Sequence, residues 1–254
     1  MFKILSVFNS ELRKYLCEVK AYYPDHIVNI VVTYIFFTAF FLGFSKGEAA
    51  SGSYYIGFVC WFFTNNIISE ASVSISFEKQ VGTFSQLLVK PVSIEALLTI
   101  RTTVWFSVSL IEAIILMVLV KLTLPITISF NILIVPVILI TLVGIWGLGF
   151  ILAGLTLLYT KTASFDSIIS YALLFLTGAL IDISKLPEFI QKIGYIIPLS
   201  LGIKISKAII DNTAIYSRDI LLLVVNSIIY LFIGIFFFKY TMYKSKQKGI
   251  ITHY

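Results

Sequence analysis

From Leu122 to Thr160 the chain runs for 39 residues without one charged side chain. A soluble surface cannot be built from such a stretch, so the run needs lipid around it. A hydrocarbon core is crossed by roughly 20 helical residues, which makes 39 too many for one span. The reading is a span over 131–158 preceded by an outer turn at 122–130. Pro136 is expected to kink this span. Gly144, Gly147, Gly149 and Gly154 are expected to let a second helix approach closely. The whole chain carries the same signature: 59% of its residues are hydrophobic and only 13% are charged.

Five further apolar segments follow this logic, at Ile27–Phe44, Tyr54–Phe77, Ile94–Val120, Ser167–Ile181 and Ile220–Phe238. The expected fold is therefore an all-α integral membrane protein with six transmembrane helices. One transmembrane domain covers 1–254, with a cytoplasmic interface segment at 1–25, a six-span bundle at 27–240 and a cytoplasmic tail at 241–254. In residues 2–23, Leu5, Phe8, Leu12, Leu16 and Val19 recur at helical spacing, and most charges fall elsewhere. This reads as an N-terminal amphipathic helix lying in the membrane interface, against the plainer reading of a solvated helix. Pro24 and Asp25 end it.

Basic residues set the orientation. With the N-terminus inside, twelve Lys and Arg fall on cytoplasmic segments and seven on outer ones, which favours both termini in the cytoplasm of a multi-pass protein of the plasma membrane. The net charge of +6 is accordingly assigned to anionic lipid and not to nucleic acid. Cys17 and Cys60 are read as lying on opposite sides of a membrane core, which disfavours a disulfide. The first twenty residues carry six charges and no apolar core, so no cleavable signal peptide is expected.

The segment from Glu78 to Pro91 separates the second and third spans. Gly82 permits a sharp turn, Thr83 can cap a short helix over Phe84–Val89, and Pro91 stops it. Ser93 can cap the next span, with Glu95 in its first turn. The result is either a crossbar able to carry force to two spans or an ordinary tidy connection. In the outer segment, Pro187 suits a first helical position and Gly194 a helix end, with Phe189, Ile190 and Ile193 on one face; Leu201–Ile210 can form a second short helix. This pair reads as a re-entrant helical hairpin or as a plain outer loop.

Glu112 is the acidic residue deepest in a span. It is either a lining residue on a candidate substrate path, together with Asn65 and Asn66, or a hydrogen-bonding group between spans, with Asn65, Asn66 or Asn226 as partner. Glu70 and Arg101 stand nearer the cytoplasmic face and are expected to form a salt bridge. The crowding of Phe36, Phe37, Phe40, Phe41, Phe58, Trp61, Phe62 and Phe63 suits lipid-facing packing or an apolar substrate path.

The pattern Glu78-x-x-x-Gly82-Thr83-x-x-Gln86-Leu87-Leu88-x-x-Pro91 resembles the signature loop of ABC transporter permeases of the type-2 export class. The stretch Leu173-Leu174-Phe175-Leu176-Thr177-Gly178, then Leu186-Pro187, then Pro198-Leu199-Ser200-Leu201-Gly202 is similar to the outer part of the same family. The resemblance implies an ATP-driven exporter whose cytoplasmic ATP-binding subunit is a separate chain, with ATP and Mg held there, and a second permease chain as homodimer or heterodimer partner. It places Glu78, Gly82, Thr83, Phe84, Leu87, Leu88 and Pro91 in the ATPase-coupling region. It places Leu5, Phe8, Leu12 and Leu16 on an interface helix that meets the same subunit, and Gly178, Pro187, Pro198 and Gly202 in the outer hairpin. The chain is not expected to be an enzyme, since none of its 14 glycines precedes a lysine and a phosphate-binding loop is therefore missing. No metal site is read, because His26 and His253 are far apart and the cysteines are not clustered. The expected cargo is an amphipathic or hydrophobic drug, lipid or peptide. A cell-wall glycan is the alternative within the family, disfavoured by the lack of a basic Arg-Tyr pattern near the N-terminus. An ATP-independent secondary transporter or channel is the alternative outside it, disfavoured because no internal repeat is evident.

Overall fold

The computed structural model describes residues 2–44, 52–90, 92–124, 131–159, 163–180 and 183–247, and these are helices joined by turns, with no strand among them. In chain order these are α1 (Phe2–Ala21), α2 (Tyr23–Phe44), α3 (Gly52–Gln80), a single turn α4 (Phe84–Leu87), α5 (Ile94–Thr123) and α6 (Ile134–Leu158). They are followed by α7 (Ala163–Leu176), a short 3-10 turn at Ile183–Lys185, α8 (Glu188–Ile196), α9 (Pro198–Ile210) and α10 (Ser217–Gln247).

Four helices are both long and apolar enough to cross a membrane, namely α2, α5, α6 and α10. The pair α8 and α9, bent by 96°, raises the number to five if it counts as one broken span. Two of the six expected spans do not meet this measure, for different reasons. α3 has ample length at 29 residues but carries Asn65, Asn66, Ser69, Glu70, Ser72, Ser74, Glu78 and Lys79. It is the central helix, packed against α5, α6, α7 and α9. Phe58, Ile67 and Ile68 on it are fully buried. A helix walled by protein has no need of a uniformly apolar surface. α7 is 14 residues long, about 21 Å at 1.5 Å per residue, and thus shorter than a hydrocarbon core. It begins at Ala163 and ends at Leu176, short of the expected Ile181, because Gly178 turns the chain with φ +81°.

The tightest pairing joins α6 to α10. A Cβ on Gly147 would lie 2.2 Å from the Tyr230 carbonyl oxygen, and one on Gly234 would lie 2.2 Å from the Gly147 carbonyl oxygen. The two backbones therefore touch, the arrangement that dispersion favours where lipid supplies no hydrophobic drive between helices. α10 runs past its expected end at Phe238, with Thr241 and Ser245 buried and Ser245 Oγ donating to the Leu157 carbonyl at 3.3 Å.

Several local expectations are corrected. Pro136 does not kink a span, because α6 begins at Ile134 and the proline sits in its first turn, where no intrahelical N–H is needed. The α1–α2 break falls at Tyr22, and Pro24 and Asp25 lie in the first turn of α2. Gly194 does not end α8. It is buried inside the helix, where a Cβ would meet Ile183 and the Leu176 carbonyl. Pro187 caps α8 from outside, and α9 starts at Pro198 instead of Leu201. Most of α9 is buried against α3, α6 and α10, and Gly202 lies so close to Thr141 of α6 that a Cβ would overlap its hydroxyl. Of the expected outer loop Ser45–Ser53 and outer turn 122–130, residues 45–51 and 125–130 lie outside the described residues, as does Pro91, while α3 already starts at Gly52 and α5 continues to Thr123.

Candidate coupling corner and elbow cleft

α3 ends in a Schellman motif. Gly82 takes φ +76°, its N–H donates to the Lys79 carbonyl at 3.1 Å, and the Thr83 N–H reaches back to the Glu78 carbonyl at 3.0 Å. Thr83 does not cap α4 with its side chain. Its hydroxyl donates to the Glu78 carboxylate instead, so the turn closes on the helix it leaves. α4 is then one turn and not the expected two, since Leu88 and Val89 follow as turns. Ser93 caps α5 as expected, accepting from the Ala96 N–H at 3.2 Å, with Glu95 in the first turn.

The single turn is nonetheless firmly held. Phe84 is 1% exposed and Leu87 5%, and both sit in a cluster with Ile75 of α3, Leu97 and Leu98 of α5, Phe150 and Leu157 of α6 and Phe238 of α10. The two buried side chains of the turn thus belong to one apolar cluster with side chains of α3, α5, α6 and α10. Leu88 packs partly against the same cluster. The outward surface of the corner is different: Val81, Gly82, Ser85, Gln86, Val89 and Lys90 are exposed.

A charged network fastens this corner to α1. Arg101 Nη2 donates to Glu78 Oε1 at 2.7 Å and Nη1 donates to Ser74 Oγ at 2.9 Å. Arg101 Nε stands 3.3 Å from Glu11 Oε2, an ion pair and not an aligned hydrogen bond. Arg101 is therefore not the partner of Glu70. The Tyr15 hydroxyl donates to the Glu70 carboxylate, and the Tyr15 ring packs on Trp105 with centroids 5.2 Å apart. Burial, reinforced by the neighbouring Glu70 charge, holds the Tyr15 phenol well above its ordinary range, so it remains a donor. Lys79 Nζ donates to the Leu157 carbonyl at 2.9 Å, at the C-terminal end of α6, where its charge suits the helix dipole. Phe8 and Leu12 of α1 pack with Tyr15 against Ile100, Val104 and Trp105, whereas Leu5 and Leu16 face outward.

At the elbow between α1 and α2, Glu112 meets neither Asn65, Asn66 nor Asn226. Its Oε1 lies 2.7 Å from His26 Nδ1, and its Oε2 accepts from Asn29 Nδ2 at 3.3 Å. Asn65 Oδ1 accepts from Ser170 of α7 at 2.5 Å, and Asn226 Nδ2 donates to the Ile196 carbonyl at 2.6 Å. Asn65, Asn66, His26 and Asn29 all line one cleft of 680 Å³ between the elbow and α3. Glu112 is tied to that cleft through two lining residues of α2.

The matching family model is that of the ABC-2 type transporter, over residues 4–210. The chain belongs to this family. No curated protein matches it. The matched region of this ABC-2 permease begins in α1 and ends with α9, so it takes in the coupling corner, the elbow and the bent α8–α9 pair. The family and the apolar helices make the permease a multi-pass membrane protein, and the family implies a partner ATP-binding subunit.

Of the residues expected in the coupling region, Phe84 and Leu87 are buried, Gly82 is exposed, and Glu78 and Thr83 bond each other. The acid that Arg101, two turns inside its span, meets is Glu78 instead of the expected Glu70, with Glu11 and Ser74 beside it, and Glu70 is met by Tyr15. In the outer part, Gly178 forms the turn after α7, and Lys207 of α9 donates to the Gly178 carbonyl at 2.6 Å.

Proposed function

We propose that this chain is the membrane half of an ATP-driven exporter, working as one of two permease chains beside two ATP-binding subunits. The reading counts α3 and α7 as spans beside α2, α5, α6 and α10, giving six, with both termini in the cytoplasm and α8–α9 as an outer re-entrant hairpin. The cargo is an amphipathic or hydrophobic molecule drawn from the cytoplasm or inner leaflet.

One observation carries the proposal: Phe84 and Leu87 anchor a single turn where α3, α5, α6 and α10 converge, and Arg101 ties the same corner to α1. A soluble partner pressing on Ser85, Gln86 and Val89 would move four helix ends and the interface helix as one body. Work enters only through differential affinity, so ATP must favour the subunit arrangement that displaces this corner. The coupling residues then divide into anchors (Phe84, Leu87, Glu78) and contact positions (Ser85, Gln86, Val89).

The test is co-expression with a candidate ATP-binding subunit, affinity capture through the permease, and uptake into inside-out vesicles. The expected result is co-purification and uptake that needs ATP. Uptake by vesicles containing the permease alone would overturn the reading.

A further inference from the structure

Five of the seven basic residues on the expected outer segments fall between Lys185 and Arg218, a concentration that orientation by positive charge does not call for. Four of them line one groove. Its first part is a cleft of 650 Å³ between the bent α8–α9 pair and the first turns of α10. Arg218, Leu222, Val225 and Ile229 of α10 form one wall. Spaced four, three and four residues apart, they share one helix face, and all four are exposed. The stripe is cationic at its first turn and apolar below. From Arg218 to Ile229 it rises about 16 Å at 1.5 Å per residue, close to half of a ~30 Å hydrocarbon core.

Ile196 of α8 and Leu201 of α9 are apolar members of the facing wall. Lys204 of α9 also lines the cleft, its Nζ 2.9 Å from Asp219 Oδ2 and 5.8 Å from the centre of the Tyr195 ring. The polar end thus gathers Arg218, Lys204 and Tyr195, residue types that suit a membrane interface. A second cleft, of 450 Å³, shares Lys204, Tyr216 and Asp219 with the first and adds Lys185, Lys207 and Asp211. Four cationic side chains therefore line the joined groove against two carboxylates. Asp219 is already engaged by Lys204, whereas Arg218 makes no ion pair or hydrogen bond among the described residues. An unpaired guanidinium above an apolar stripe one leaflet long fits a phosphate attached to a hydrocarbon chain.

We propose that this groove binds an anionic phospholipid of the outer leaflet. The phosphate meets the Arg218 guanidinium, and the rest of the headgroup lies toward Lys185, Lys204 and Lys207. One acyl chain runs down Leu222, Val225 and Ile229. A zwitterionic headgroup fits less well, because its ammonium would find more cations than acids. The lipid touches α8, α9 and α10 together and so braces the bent pair against α10. The exporter reading above enters only in assigning the outer leaflet.

The test uses the full chain in neutral detergent, titrated with dioleoyl phosphatidylglycerol or dioleoyl phosphatidylcholine and followed by native mass spectrometry and melting temperature. The first phosphatidylglycerol should bind about tenfold or more tightly than phosphatidylcholine, as a bidentate contact between arginine and phosphate allows. It should also raise the melting temperature. Arg218→Ala should abolish the preference. Val225→Trp, which fills the apolar part from an exposed position, should weaken both lipids. Lys246→Ala, which removes an exposed cation at the other end of α10, should change neither. Glycerol phosphate, which has no tails, should not compete. Equal affinity for the two lipids in the wild type, unchanged binding in both Arg218→Ala and Val225→Trp, or displacement by glycerol phosphate would each overturn the site. Sidedness is read separately, with Tyr216→Cys in a Cys17→Ser background and a membrane-impermeant maleimide. Labelling in intact cells is expected. Labelling only in inside-out vesicles would overturn the outer assignment and the orientation behind it, while the lipid site stands on the titration.

Discussion

Arg101 Nη2 lies 2.7 Å from Glu78 Oε1, and both side chains are almost fully enclosed. This pair, together with the bond from Arg101 Nη1 to Ser74 Oγ, fastens the end of α3 to α5, and Arg101 passes the connection on to Glu11 of α1. A buried ion pair need not stabilise relative to apolar residues of the same volume, but removing one member leaves a bare charge. Glu78→Ala or Arg101→Ala should therefore cost about 3–5 kcal/mol. Arg101→Ala with Glu78→Ala should cost less than the sum of the two. Thermal unfolding in detergent gives the ordering; additive losses would show that the pair does not couple.

Gly82 separates strain from space. Its φ is positive, yet nothing lies within 4 Å of where a Cβ would stand. Gly82→Ala should cost only the backbone penalty of about 1–2 kcal/mol, and Gly82→Asn less than that. Gly82→Val should cost more, because a β-branched residue disfavours the left-handed region. Melting temperatures should rank glycine, asparagine, alanine, valine in falling order.

Gly147 is the opposite case. Its conformation is ordinary, but its neighbour across the helix interface is backbone and cannot move aside. Gly147→Ala and Gly234→Ala should each separate α6 from α10 and cost about 1–3 kcal/mol or more. Size-exclusion profiles and melting curves would report it. A silent Gly147→Ala would mean that the helices do not meet as described.

Tyr15→Phe removes the donor to Glu70 while keeping the ring on Trp105. The expected loss is about 1–3 kcal/mol, the cost of leaving a buried acceptor short of a partner. Glu70→Leu in the same background should restore part of it, since both polar partners are then gone. Chemical unfolding of the two variants makes the comparison.

The elbow pair can be tested as a cycle. His26→Ala, Glu112→Ala and the double variant should show a coupling of about 0.5–3 kcal/mol, the range for residues in direct contact. A coupling near zero would mean that the contact between His26 and Glu112 carries no energy.

The class of the molecule was legible because composition and long apolar runs act one residue at a time: each side chain prefers lipid or water regardless of its neighbours. The turn between α3 and α5 was legible in part for a similar reason, although Thr83 does not cap α4 and α4 is one turn long. A left-handed glycine, a capping serine before α5 and a short apolar helix are local chemistry, and Gly82, Ser93, Phe84 and Leu87 behave accordingly. Pro136 misled because the proline rule depends on where the helix begins, and two residues decide between a kink and a harmless first turn.

Partner choice among the polar groups was not legible. Glu70, Glu78 and Glu11 all lie within reach of the α1–α3–α5 contact, and helical spacing alone does not say which of them meets Arg101. Glu112 finds His26 and Asn29 because α2 starts beside the middle of α5, a matter of how two helices far apart in sequence are set against each other. The sequence by itself determined that this chain lives in a membrane, that it is helical, and that its most specific segment lies between α3 and α5. Only the tertiary structure decided which charges pair, which residues of the turn between α3 and α5 are buried and which face outward, and that Asn66 and three acids share a cleft, because each of these depends on helix rotation and offset, which no local preference encodes.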